Sequence, residues 1–130
     1  MGWYYTHGQS RKLLITELTA SGTNTNGVIR NCLAHASVGY NILWTVWEIT
    51  TAGGAKHRYI GCDLLHRSGD GWGYKPMDES VGPCYWTCPL KYLAMVPVVN
   101  AEWRAGVVDY WKKRAARRNV KRGNVLSVQA

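Results

Sequence analysis

The densest apolar run in the chain covers residues 40–50. Its two alternating sets, Tyr40, Ile42, Trp44, Val46, Glu48 and Asn41, Leu43, Thr45, Trp47, Ile49, are both largely apolar. Side chains alternate between the faces of a strand, so this pattern predicts a central strand covered on both sides. Residues 28–36 and 56–65 read as flanking strands, although Arg30 and Asn31 disturb the alternation of the first. The links at 37–39 and 51–55 are short and contain glycine, which suits hairpins, and three strands joined in this way form an antiparallel meander.

Helical spacing appears on either side of the meander. Ser10 is placed to cap a helix over residues 11–19, where Leu14 and Leu18 lie four apart with Ile15 beside them. Residues 3–7 read as a short strand or an aromatic plug. Residues 20–27 consist almost entirely of turn formers and predict an exposed loop. Residues 67–77 interleave glycines with Trp72 and Tyr74 and read as a loop held by its aromatics. Pro89 can open a short helix over 90–96, which Pro97 ends. Asn100 then caps a longer helix over 101–118, with Trp103, Val107, Tyr110 and Trp111 on one face. Residues 119–130 read as a flexible basic tail with one short strand at 125–128. The expected architecture is α+β, one domain over 1–118 with an antiparallel meander of three or more strands. It packs against an N-terminal helix and a long basic C-terminal helix.

Composition adds two points. The 130 residues include seven Trp and eight Tyr but no Phe, so nearly every large ring brings a polar atom that needs a partner when buried. The net charge of +8 is also uneven: residues 1–99 carry eight Lys/Arg against six Asp/Glu, and residues 100–130 carry eight against two. No run approaches the ~18 apolar residues of a membrane span, and the first twelve residues lack the apolar core of a secretory signal. A cytoplasmic protein with reduced thiols and no membrane partner is expected.

Three groups of residues are candidates for chemistry. Asp78, Glu79, Gly82, Pro83, Cys84 and Cys88 lie in a stretch too irregular for helix or strand, and they predict a structural loop whose acids accept backbone N–H bonds. Cys84 and Cys88, with His66, would supply part of a zinc site, but only one half of such a site has a recognisable spacing. No metal or cofactor is therefore expected. The alternative is a small zinc- or thiol-dependent domain, catalytic or structural, centred on Cys84 and Cys88. No spacing matches a catalytic motif, so an enzyme is not expected. The third group is basic: Arg104, Lys112, Lys113, Arg114, Arg117, Arg118, Lys121 and Arg122. On a helix Lys113, Arg117 and Lys121 share one row and Arg114 and Arg118 the next, a stripe able to neutralise several phosphates.

Several phrases resemble a family of short uncharacterised proteins of bacteriophages, prophages and plasmids. They are the opening Met1-Gly2-Trp3 with Thr6-His7, Ile60-Gly61-Cys62-Asp63, Gly71-Trp72-Gly73-Tyr74-Lys75, Met77-Asp78-Glu79-Ser80, Gly82-Pro83-Cys84, Cys88-Pro89 and Glu102-Trp103-Arg104. The resemblance covers most of residues 1–104 and implies no activity. It does imply an accessory protein of a mobile element, acting on a machine of its bacterial host. With the basic helix, the expectation is a non-enzymatic protein that binds a host nucleic acid or nucleoprotein, such as a CRISPR effector, and inhibits host defence. Self-association as a homodimer is a further expectation.

Overall fold

The computed structural model describes residues 4–6, 10–39, 41–68, 71–77 and 85–126, with side chains of the last helix described as far as residue 119. Its elements are β1 (Tyr4–Thr6), α1 (Arg11–Leu18), β2 (Gly22–Thr23), β3 (Ile29–Val38), β4 (Ile42–Thr50), β5 (Lys56–Ser68), β6 (Gly71–Pro76), α2 (Leu90–Met95) and α3 (Ala101–Leu126). The strands form one six-stranded sheet in the order β1-β6-β5-β4-β3-β2, and every neighbouring pair is antiparallel. The fold is α+β with a meander, as the alternation predicts.

Strand β4 is the centre, with residues 42–47 all buried. One of its faces presents Ile42, Trp44 and Val46 to Tyr92 and Leu93 of α2 and to Trp103 and Val107 of α3. The other presents Leu43, which packs with Leu65 and Trp72 beneath Leu14 of α1. Ser10 caps α1, its hydroxyl accepting from the Leu13 N–H at 3.2 Å, and the Arg11 guanidinium donates to the Ser37 hydroxyl.

Four expectations need correction. Residues 20–27 are exposed but not all loop, since Gly22 and Thr23 form β2 by pairing with Arg30 and Ile29. Residues 67–77 are not a loop: β5 runs to Ser68 and residues 71–76 form β6. Trp72 and Tyr74 share a face, the burial of Trp72 against Leu65 repays ordering the glycines between them, and Gly73 pairs with both Tyr5 and His66. The short strand expected at 125–128 does not start, because Val125 and Leu126 belong to α3, which continues eight residues past the expected end at 118. Finally, the disturbance at Arg30 and Asn31 is a change of face. A register shift between Cys32 and Ala34 leaves Cys32 opposite Trp47 but Ala34 opposite Val46, so residues on either side of the bulge switch faces.

The segment after residue 84 fixes α3 to the sheet. The Trp44 indole N–H donates to the Thr87 hydroxyl at 2.9 Å, Trp103 to the Tyr85 carbonyl at 3.0 Å and Trp111 to the Cys88 carbonyl at 2.8 Å. Trp86 packs against α3 at Gly106, where a Cβ would overlap the six-membered part of its ring.

Two substitutions test this arrangement. In an open helical site Gly→Ala would add about 1 kcal/mol, but Gly106→Ala should instead lower stability by about 1–3 kcal/mol through overpacking. Trp111→Phe leaves the Cys88 carbonyl unpaired and should cost about 1–3 kcal/mol. Urea unfolding of each variant measures both.

Candidate nucleic-acid interface

Helix α3 has two halves of different character. It starts cleanly: the Asn100 side chain accepts from the Trp103 N–H at 2.9 Å, and Glu102 in the first turn faces the positive end of the helix dipole. Trp103 and Val107 are buried, and Val108 and Trp111 pack at the edge of the same core. Past Trp111 no apolar residue larger than alanine appears until Val120, and residues 112–119 are all exposed. The helix therefore leaves the body of the fold as an arm.

That arm carries Lys112, Lys113, Arg114, Arg117 and Arg118 on exposed positions, and the helical backbone continues through Lys121 and Arg122. No acidic residue follows Asp109. Lys113 pairs with Asp109 at 2.9 Å, but both side chains are solvated and the pair contributes little. Arg114 donates to the Tyr110 hydroxyl at 3.3 Å, with its Cζ 5.8 Å from the Trp111 ring, which sets the base of the arm. From Lys112 to Arg122 the backbone rises about 15 Å, a stretch over which B-DNA carries about nine charges. An α-helix exposed on all sides fits the major groove of such a duplex.

Arg104 does not belong to this surface. Its Nη2 donates to the carbonyls of Leu93 at 2.8 Å and Val96 at 3.4 Å, tying α3 to the end of α2. Asp78, Glu79, Gly82, Pro83 and Cys84 lie outside the described residues. Cys88 is buried where α2 begins, and burial pushes its thiol up to about 12, so at neutral pH it holds its proton and offers no thiolate. His66 is half-buried on β5, opposite Gly73. Among the described residues no three His, Cys, Asp or Glu side chains stand together to hold a metal ion. Nor is any helix among them long and apolar enough to cross a membrane.

The sequence reading missed a polar region on the α1 face of the sheet. Arg30 lies over Trp47, and Asp63 stands half-buried on β5 opposite Leu43. Burial lifts the Asp63 carboxyl to about 6, and the Arg30 charge only partly opposes this. The signal was there in the Arg30 break of β3, but only the bulge shows which face it serves.

No family model, curated protein or solved structure matches the chain.

The Asp63 carboxyl gives a definite pH dependence. The folded protein holds this proton more tightly than the unfolded chain, whose carboxyl has the ordinary value of 3.8. The stability it contributes is complete below about pH 4 and is lost as pH rises through about 6. The full effect is up to about 3 kcal/mol, less what solvent screening removes at a half-buried site. Asp63→Asn should flatten the stability profile between pH 4 and 7 in urea unfolding. An unchanged profile would show that the carboxyl titrates alike in both states.

Proposed function

We propose that this chain is a non-enzymatic accessory protein of a mobile element that binds nucleic acid, alone or within a host nucleoprotein, through the basic half of α3. The observation that carries this reading is the arm itself: five described basic side chains on exposed positions, no acid beyond Asp109, and no apolar stripe that a core could use. A helical tail kept only for solubility does not require an anchor, whereas this arm extends from a half-helix locked by Trp103, Val107 and Trp111. Contacts of this kind neutralise phosphates and set position without reading bases. The motifs that resemble those of phage and plasmid proteins support a host target in the bacterial cytoplasm, a defence nucleoprotein such as a CRISPR effector being one that an inhibitor of this kind would bind.

The test is fluorescence anisotropy with a 20-base-pair DNA duplex across a salt series. Five phosphate contacts predict a slope of log K against log salt of about −4 to −5. Charge reversal of Arg114, Arg117 and Arg118 to Glu should lower affinity at least a hundredfold and reduce the slope by about three. Unchanged affinity in the reversed protein, with its near-UV spectrum intact, would remove the arm from the mechanism.

A further inference from the structure

Helix α1 covers only one end of its face of the sheet, the end formed by Leu43, Leu65 and Trp72. At the other end Trp47 packs beside Gly61, where a Cβ would meet the Thr45 hydroxyl at 2.6 Å and indole atoms at 3.6 Å. The indole N–H donates to that hydroxyl at 3.0 Å, which holds the ring in place. Among the described residues Trp47 belongs to neither of the two helix-covered core clusters, yet it is only 2% exposed. Its cover is Arg30, whose Cζ stands 3.6 Å from the ring centroid.

The guanidinium is held on two sides. One face rests on the indole, and Nε and Nη2 both donate to the Tyr59 hydroxyl, at 3.1 and 2.8 Å. Arg30 is nevertheless exposed, so its outer surface meets solvent. A groove of about 420 Å3 opens beside it, lined by Val28, Ile49 and residues 20–24. Two further exposed side chains, His35 and His57, stand on the same face of the sheet.

We propose that the Arg30–Trp47 stack is a platform for an unpaired nucleobase. The base would lie on the outer face of the guanidinium, with its edge in the groove along residues 20–24. A guanidinium plane stacks on a base much as an aromatic ring does, and it adds a charge that favours the adjoining phosphate. A lysine could supply the charge but not the plane. This assignment rests on the nucleic-acid reading and makes it more specific: the arm holds phosphates, and the sheet holds a base that has left its stack.

The full chain is titrated with a 12-nucleotide single strand carrying one 2-aminopurine and with a 20-base-pair duplex, at fixed salt. Arg30→Lys should weaken single-strand binding about tenfold and abolish the 2-aminopurine quench. It should leave the salt slope and the duplex affinity unchanged. In parallel, adenosine monophosphate titrated into the wild-type chain should shift the Trp47 indole N–H resonance. A platform that does not exist would show itself by single-strand binding that Arg30→Lys leaves intact, or by a Trp47 resonance that adenosine monophosphate does not move. If Arg30→Lys fails to fold, the nucleotide titration alone decides. A wild-type chain that binds no duplex but still shows the Trp47 shift would retire the arm and leave the platform standing.

Discussion

Three indole N–H groups determine where the rest of the molecule sits. The segment at residues 85–88 passes between the sheet and α3, and polar groups enclosed there must be paired or cost about 1–3 kcal/mol each. Trp44 reaches the segment from the sheet, while Trp103 and Trp111 reach it from α3 two turns apart. Phenylalanine would leave part of the volume empty and pair none of them. Three of the chain's seven tryptophans are used in this way, and the chain contains no phenylalanine. Gly106 follows from the same constraint, since a helix that rests directly on the Trp86 ring has no space for a Cβ.

Anchoring the first half of α3 has consequences for the second. A helical segment of about fifteen residues is marginal in water by itself, and this one places like charges in neighbouring turns, at Lys113 and Arg117 and at Arg114 and Arg118. Those pairs repel. The arm is helical because it continues a helix already nucleated and held by the core. A polyanion along the arm would remove the repulsion, so helix stability and anion binding act in the same direction.

How much of this could be read in the sequence depended on whether local pattern and tertiary demand agreed. They agreed in β4, where both alternating sets are apolar and both faces are buried. They also agreed in α1, where Leu14, Ile15 and Leu18 face the sheet. They diverged at Gly71 and Gly73, where glycine signals a loop but the burial of Trp72 and pairing on both sides make a strand. They diverged again past residue 118, where charge without apolar period hides a helix that the preceding turns propagate. The basic stripe was visible because charge needs no fold to be counted. Arg104 was misplaced within it, because only the structure shows the Leu93 and Val96 carbonyls that hold its guanidinium.

The Arg30 stack comes from a mismatch of lengths. Eight residues of helix span about 12 Å, whereas strands of nine and thirteen residues run about 30 and 43 Å, so α1 cannot roof the face it packs on. The opposite face has two helices and closes completely around Trp44 and Val46. Something other than a helix must cover Trp47. An apolar side chain would have done so and become part of a larger hydrophobic patch. Arginine covers the ring with its plane and stem while keeping its charge in water, and the bulge between Cys32 and Ala34 keeps Arg30 on the Trp47 face while turning Ala34 to the core. The face left open by the short helix is thus closed by a cation, and the surface so formed is flat, charged and held in place from below.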